Sequence, residues 1–246
     1  MMNNLTTKTV REIALEMPLT TRVFEDHKID FCCGGNRLFL EACKTAGADA
    51  ESVLKEISVY LESPVETELD WVKTADLSKL IGYIVEKHHV YTRDEIKNLM
   101  PLMVKVAGKH GEHHTELYEL ERLFGVLCSD LAPHLLKEEQ VLFPYIKELE
   151  NFKIKNGKVP VSCFGTVKNP VGMMLREHDT AGEILRSMRE VSHDYRVPEG
   201  ACPSYAALLT RLEAFEKDLH QHIHLENNVL FPKAVELENE IFSLEL

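Results

Sequence analysis

The stretch HLLKEEQVLFP at residues 134–144 decides the fold, because it returns as HIHLENNVLFP at residues 222–232. The two copies keep His, Glu, Val, Leu, Phe and Pro in register at an offset of 88 residues. Large apolar residues precede each copy at alternating spacings of four and three, which is typical of the inward face of a bundle helix. The repeat therefore predicts two related helices, each with a histidine and a glutamate one turn apart on that face. The apolar residues are Leu120, Phe124, Leu127 and Leu131 before the first copy and Leu208, Leu212, Phe215 and Leu219 before the second.

The rest of the chain has the same helical pattern. Glycine and proline are sparse, with 12 and 10 residues, and no long segment alternates polar and apolar residues as a strand would. We assign residues 1–66 to a small N-terminal helical domain and residues 71–246 to an antiparallel four-helix bundle, which makes the fold all-α. Between them, the polar and proline-broken segment at 62–70 is typical of a linker. The four long helices are predicted at about 75–109, 112–151, 169–191 and 203–237.

Composition excludes several classes of protein. The 246 residues are 44% hydrophobic and 28% charged, which is ordinary for a globular chain. The formal net charge of −12 argues against nucleic acid or an anionic membrane as a partner, since both attract basic surfaces. No run reaches the roughly 20 apolar residues of a membrane-spanning helix, and the N-terminus lacks the pattern of a secretion signal. We therefore expect a cytoplasmic protein whose six cysteines are thiols. Because a domain of roughly 60 residues buries little core, we also consider a homodimer formed through it.

The first and third helices each offer one more inward histidine. On the third helix, His178 shares the apolar stripe with Leu185. On the first helix, His88 and His89 compete for the inward position. The register of His89 continues through Ile96, whereas that of His88 runs into charged and amide residues. We choose His89 and keep His88 as the alternative.

These choices put four histidines and two glutamates into one core. Two buried carboxylates would each cost roughly several kcal/mol without a cation, and no lysine or arginine lies nearby on the inward face. Divided evenly, two metal ions would each take two histidines and share both glutamates as bridges, an environment close to that of non-haem iron. We predict a centre of two non-haem iron ions, oxo-bridged. We expect His220 and His224 on solvated faces, and for Glu177 we favour a solvated face over a supporting role beside the metal ligands. The predicted ligands are His89, His134, Glu138, His178, His222 and Glu226.

A second candidate site is the run Cys32-Cys33-Gly34-Gly35. The two glycines permit a tight turn, and Asn36 is a suitable N-cap for a helix that would start beside the thiols. A helix N-terminus lowers the pKa of a nearby thiol. We therefore expect Cys32 and Cys33 to supply thiolate for redox, exchange or metal transfer.

These motifs together resemble a known family, the iron–sulfur cluster repair di-iron proteins of the repair-of-iron-centres type, which have an ScdA-type N-terminal domain and a hemerythrin-like bundle. The resemblance covers nearly the whole chain and rests on the two repeated stretches, on Glu177-His178-Asp179 and on the run from Asp30 to Gly35. It implies that the same four histidines and two glutamates bind the irons. A tyrosine commonly precedes the first ligand in that family, and here the position holds His88.

The resemblance implies a stress protein that helps to repair iron–sulfur clusters damaged by nitric oxide or oxidants, by donating iron and with redox or nitric oxide chemistry at the di-iron centre. Its partners would be damaged iron–sulfur proteins and the small ligands NO and O₂. Two alternatives stay open: a hemerythrin-like carrier or sensor of O₂ or NO, and a nitric oxide reductase. The sequence leaves undecided whether the protein turns over a substrate as an enzyme.

Overall fold

A computed structural model of the protein describes residues 2–62, 70–155 and 160–243. Within these ranges the chain is helical, without a β-strand, and its single β-bridge joins Thr9 to Leu38. The predicted all-α class is confirmed. None of the described helices combines the length and the apolar content needed to cross a membrane.

The N-terminal unit consists of short helices around its own small core. Thr9 caps the first α-helix, and Glu12 returns the hydrogen bond as the capping box in the sequence predicts. Val10, Phe24, Phe39 and Ile57 lie at the centre of the core and are fully buried. The elements are a 3₁₀ helix Met2–Thr7, α1 Val10–Glu16, α2 Thr20–Asp26, α3 Phe39–Ala46 and α4 Ala50–Glu62.

The helix predicted to begin at Asn36 starts later, at Phe39. Residues 36–38 form a turn, a bend and a β-bridge instead, because the chain here bonds to the segment at the start of α1: Val10 donates its N–H to the carbonyl of Arg37, and Phe39 donates to that of Lys8. The N-terminus of α3 therefore does not adjoin the cysteine pair. The predicted linker could not be compared, since residues 63–69 lie outside the described ranges, and the boundary between the two domains stays a prediction.

The rest of the chain forms four long antiparallel helices, three of which contain a π-helical turn. The ends differ from the predicted ones by a few residues, except that the last helix continues six residues further. After a 3₁₀ turn Asp70–Lys73, the first helix comprises α5 Leu77–Tyr83, a π-turn Ile84–His89 and α6 Val90–His110. The second comprises α7 Glu116–Lys137, a π-turn Glu138–Leu142 and α8 Phe143–Lys155; the third is α9 Lys168–Val191; the fourth comprises α10 Pro203–Leu225, a π-turn Glu226–Leu230 and α11 Phe231–Ser243.

The bundle core is divided into two apolar clusters. One lies between α6, α7, α9 and α10 and includes Leu99, Phe124 and Phe215. The other lies between α5, α8, α11 and the start of α9 and includes Phe143 and Phe231. The layer between the two clusters contains buried histidines and glutamates. The fold thus creates a polar layer, closed above and below by hydrocarbon.

The N-terminal unit packs against the fourth bundle helix through side-chain-to-backbone hydrogen bonds. Asn228 donates from Nδ2 to the carbonyl of Phe31 at 3.0 Å and to Nδ1 of His224 at 2.9 Å. The backbone carbonyl of Asn228 accepts a hydrogen bond from Nη2 of Arg11 at 3.2 Å. Glu25 pairs with His220 at 3.0 Å on the same side. These contacts fix the loop that holds Cys32 and Cys33 against the bundle.

Replacing Asn228 with alanine should therefore loosen this packing. The substitution removes one hydrogen bond to the buried carbonyl of Phe31 and the amide donor to the imidazole of His224, which we expect to lower the free energy of unfolding by about 1–3 kcal/mol. Chemical denaturation gives the stability, and amide hydrogen exchange should rise selectively over residues 10–57. Asn239→Ala, at an exposed position of α11, is the matched control. Equal stability of the two variants would contradict the prediction.

Candidate metal centre

All six predicted ligands converge in the polar layer. Their ligand atoms form two groups, and within each group all atoms lie within 4.8 Å of one another. Glu138 and Glu226 belong to both groups and therefore lie between the two positions that metal ions would take. The first group adds His89 and His222, and the second adds His134 and His178.

The distances match those of ligands around a metal ion. Nε2 of His89 lies 3.1 Å from Nε2 of His222, and Nε2 of His134 lies 3.1 Å from that of His178. Oε2 of Glu138 lies 3.5 Å from Nε2 of His89 and 3.4 Å from that of His134. Adjacent ligands that each lie at about 2.1 Å from one ion are separated by about 3.0 Å or more. Each group thus surrounds a space of the right size for one ion.

The ring nitrogens that face one another carry lone pairs. In the second group, Nδ1 of His134 bonds to the carboxylate of Glu177 at 2.8 Å, and Nδ1 of His178 bonds to Oδ1 of Asn227 at 2.7 Å. Because both acceptors are oxygens, each Nδ1 holds the proton of a neutral ring, which leaves Nε2 bare. Two bare nitrogens at 3.1 Å repel each other unless a cation lies between them. This arrangement fits a metal ion.

The charges in the layer lead to the same conclusion. Glu138 and Glu226 are fully buried, and neither oxygen of Glu138 has a hydrogen-bond partner among the described residues. Burial and the charge of Glu226 raise the pKa of Glu138 well above its usual value. Burial also lowers the pKa values of His134 and His222 to about 4. His134 and His222 are therefore neutral at physiological pH, as metal ligands must be, so these two rings do not compensate the charge of the carboxylates.

A further layer of side chains fixes the orientation of three of the four rings. Oε1 of Glu139 lies 2.7 Å from Nδ1 of His89, and Arg93 in turn donates to Glu139. Glu177 and Asn227 do the same for His134 and His178. Such partners fix the tautomer and raise the basicity of a metal-binding histidine. Nδ1 of His222 has no partner within the described part of the chain.

Sequence reasoning missed Glu139 and Asn227 as supporting residues, although the repeat contained the signal. Glu139 and Asn227 each follow a bridging glutamate, at equivalent positions of the two copies. Glu177, for which we favoured a solvated face, bonds to His134 and to the ammonium of Lys137. Glu177 thus takes the supporting role that the sequence left as the alternative, because α7 and α9 pack closely enough for its carboxylate to reach the neighbouring helix, while its side chain stays 33% exposed.

Three of the six predicted ligands lie in the π-turns. His89 is the last residue of the first turn, and Glu138 and Glu226 are the first residues of the other two. A π-turn accommodates one additional residue and is frequent at functional sites. The aromatic residues that follow the second and third turns cover the rings of the layer: Phe143 stacks on His89 with centroids 5.7 Å apart, and Phe231 stacks on His178 at 6.1 Å.

His88 and His89 are both buried, but only His89 faces the other ligands. Nδ1 of His88 pairs with Asp218 at 3.0 Å, and its ring stacks parallel to that of His222 with centroids 5.8 Å apart. His88 therefore supports His222 by packing rather than taking the place of His89.

The expectation that His220 and His224 are solvated is wrong. His224 is 4% exposed and lies against the ring of Phe31 at 5.4 Å, and His220 pairs with Glu25. The N-terminal unit covers this face of α10, a contact that the pattern of the helix alone does not reveal. Burial lowers the pKa of His224 to about 4.

Cys32 and Cys33 lie at the edge of the same layer. Sγ of Cys33 is 3.6 Å from the carbonyl of His178, and Nδ2 of Asn227 donates to the carbonyl of Cys32 at 3.3 Å. The expected low thiol pKa is wrong for Cys32. Its hydrogen bond to Cys33 and its burial raise the pKa well above the usual value, and the helix N-terminus that was expected to lower it lies seven residues away.

A cleft leads from the surface to the polar layer. It has a volume of about 300 Å³, and His134, His178 and His222 form its floor. Leu131, Ala181 and Ile223 make part of the wall apolar, while the ion pair of Lys137 and Glu177 lies at its side. A small uncharged molecule could reach the ligands by this route.

Comparison with known proteins gives two family matches and a set of relatives. Residues 80–234 match the hemerythrin HHE cation binding domain, and residues 6–60 match a domain of unknown function, DUF542. The chain is similar to the iron–sulfur cluster repair protein YtfE of Yersinia pseudotuberculosis serotype IB (strain PB1/+) and to that of Yersinia pestis (strain Pestoides F). Each is 32% identical over 223 residues, which cover 91% of this chain and 94% of the relative. All six predicted ligands fall within the first match.

Removing the shared carboxylates should have opposite effects on two quantities: the amount of bound metal should fall, and the stability of the metal-free chain should rise. Glu138→Leu combined with Glu226→Leu should reduce the bound iron from two ions per chain to fewer than one, measured by metal analysis of the purified protein. Glu138→Leu alone should raise the unfolding free energy of the metal-free chain by about 1–3 kcal/mol, since a buried carboxylate without a partner is replaced by hydrocarbon. Glu148→Leu, on the exposed side of α8, should change neither quantity much. Retention of two irons by the double variant would show that the ligand set is wrong.

The partner of His134 offers a more selective test. Glu177→Ala should weaken the binding of one of the two ions by about 10–100-fold, because the ring of His134 loses the acceptor that orients it. Competition with a coloured chelator resolves the two affinities. Asp179→Ala, an exposed position two residues further on, should leave both affinities unchanged. A similar loss in both variants would argue against an orienting role for Glu177.

Proposed function

The chain belongs to the hemerythrin HHE cation-binding family and to the family of the iron–sulfur cluster repair protein YtfE, and we propose that it helps to restore iron–sulfur clusters damaged by nitrosative or oxidative stress. The observation that carries the proposal is the extent of the similarity. It covers 91% of the chain and therefore includes both the bundle and the N-terminal unit. Its partners would be damaged iron–sulfur proteins, which it would meet in the cytoplasm.

Two non-haem iron ions per chain, joined by an oxo bridge, form the centre in this proposal. His89, His222 and the two glutamates would hold one ion, and His134, His178 and the same glutamates the other. The bare ring nitrogens and the unpaired carboxylate of Glu138 support this assignment. When bound, the irons supply open coordination positions for small ligands and the capacity to exchange electrons.

The protein's own residues prepare the site for that chemistry. Glu139, Glu177 and Asn227 hold three imidazoles with Nε2 directed inward. Phe143 and Phe231 cover two of the rings and exclude water on one side. On the other side, the cleft beside His134 and Ala181 is wide enough for NO or O₂. The apolar part of its wall, formed by Leu131, Ala181 and Ile223, favours small uncharged ligands over charged ones.

The N-terminal unit favours repair over simple carriage of a gas. A carrier needs only the bundle and its metal centre. In this protein a cysteine loop is held within 3.6 Å of the backbone of His178 by hydrogen bonds from the bundle. The thiols of Cys32 and Cys33 would give iron ligands outside the layer of histidines and glutamates. Nitric oxide reduction at the centre is the second candidate, and the open cleft is the feature that favours it.

The direct test is the recovery of a damaged client. An iron–sulfur hydro-lyase that has been inactivated by nitric oxide should regain activity when it is incubated anaerobically with the iron-loaded protein and a thiol reductant. Recovery should exceed that produced by the same amount of free ferrous iron, because the protein delivers the ion at the site of damage.

Two variants provide the controls. The Glu138→Leu/Glu226→Leu protein should restore no activity, whereas Glu148→Leu, at an exposed position of α8, should match the wild type. Clean reversible binding of O₂ without any recovery of the client would reject repair in favour of a carrier. Steady consumption of NO without recovery would instead identify a reductase.

A further inference from the structure

Three side chains of the N-terminal loop form a second group of potential metal ligands. The ligand atoms of Asp30, Cys32 and Cys33 all lie within 4.8 Å of one another. The two sulfur atoms are 3.8 Å apart. Two thiolates that bind one ion tetrahedrally at about 2.3 Å are separated by about 3.8 Å. The loop therefore presents both sulfurs at the spacing that a tetrahedral ion requires.

The turn that brings the three groups together depends on glycines. Oδ1 of Asp30 accepts from the N–H groups of Cys33 and Gly34, both at 2.9 Å, which closes the loop on itself. A Cβ at Gly34 would lie 3.0 Å from Oδ2 of Asp30, and one at Gly35 would lie 2.8 Å from the carbonyl of Phe31. Neither position has room for a side chain without displacing the carboxylate or the backbone.

The group is placed between the surface and the candidate di-iron centre. On the outer side, Cys32 and Cys33 line an open cleft of about 890 Å³, which Asp179 and Asn227 also line. On the inner side, Cys33 packs against α9 beside Gly182, where a Cβ would lie in ordinary contact with the sulfur at 3.4 Å. The contact with the backbone of His178 completes the link. An ion held here would be close to the centre and accessible from solution.

We propose that Asp30, Cys32 and Cys33 form a third metal site, which binds one divalent thiophilic ion, ferrous iron in the cell, on its way between the di-iron centre and a client. Binding forms two metal–sulfur bonds and releases the two thiol protons to solvent, with no change in oxidation state. The carboxylate of Asp30 reduces the remaining positive charge. The fourth position faces the cleft, where a ligand from the client can replace water.

This inference rests on the proposed repair function only for the identity of the cargo. The site itself is a matter of metal binding and can be tested without a client. If the wild-type chain fails to restore any client, the repair function fails, while the metal titration still decides whether the site exists.

Cobalt(II) is the probe, because thiolate ligation gives a sulfur-to-cobalt charge-transfer band that histidine and carboxylate ligands do not. The iron-loaded full-length protein is reduced, freed of oxygen and titrated with cobalt(II). We expect the band to saturate at one cobalt per chain while the iron content stays constant. Cys32→Ser/Cys33→Ser should abolish the band, and Asp30→Asn should weaken binding by about tenfold or more. Cys163→Ser, which removes an exposed cysteine elsewhere, should leave the titration unchanged.

A second measurement uses the unaltered protein and so does not depend on the folding of a variant. Cobalt(II) should slow the alkylation of Cys32 and Cys33 by iodoacetamide relative to that of Cys163, with the sites resolved by mass spectrometry. Absence of the charge-transfer band, its persistence in the double serine variant, or equal alkylation with and without cobalt would each overturn the proposal.

Discussion

The structure depends on one electrostatic constraint: the carboxylates of Glu138 and Glu226 lie in a core that is otherwise closed by hydrocarbon. Neither glutamate is exposed, and among the described residues their ion-pair partners are histidines. In an apolar medium such charges are stable only when a cation lies between them or when they take up protons. The four imidazoles, their outer hydrogen-bond partners and the phenylalanines that cover them can all be understood as the means of holding that cation. The need to neutralise the two buried carboxylates therefore explains more of the residues in this layer than hydrophobic packing does.

Much of this layer could be predicted from the sequence, because the spacing of residues along a helix determines which of them share a face. The repeat placed His134, Glu138, His222 and Glu226 together without knowledge of the structure. The supporting residues could not be found in this way, since they act between helices. Glu177 reaches His134 only because α7 and α9 pack closely, and His224 is buried only because the N-terminal unit covers α10. Periodicity describes one helix at a time, and these contacts need the distance between two. The start of α3 was missed for a similar reason, since the preceding residues bond to a segment that is distant in sequence.

The two halves of the repeat differ where the N-terminal unit packs against the bundle. The first copy has Glu139 and Gln140 after its bridging glutamate, and the second has Asn227 and Asn228 at the equivalent positions. Glu139 can only accept hydrogen bonds, and it faces an arginine. The amides of Asn227 and Asn228 also donate, and they bond to the carbonyls of Cys32 and Phe31. The same asymmetry occurs one residue before the single histidines, where Glu177 supports His134 while its counterpart His88 stacks on His222. The two halves of the bundle thus differ in a few polar residues, and the half that contains Asn227 and Asn228 binds the cysteine loop.

The side chain of Asn227 has one consequence that concerns thermodynamics rather than shape. Its oxygen accepts from the ring of His178, and its nitrogen donates to the backbone of Cys32, so a single rigid amide plane is shared by the core and the surface loop. A rotation of that plane that improves one bond strains the other. If ion binding in the core changes the affinity of the loop for a ligand, then binding of that ligand must change the ion affinity of the core by the same factor. Metal binding in the core therefore changes the affinity of the loop for its ligands. In the same way, a molecule that binds the loop changes the affinity of the core for its metal ions.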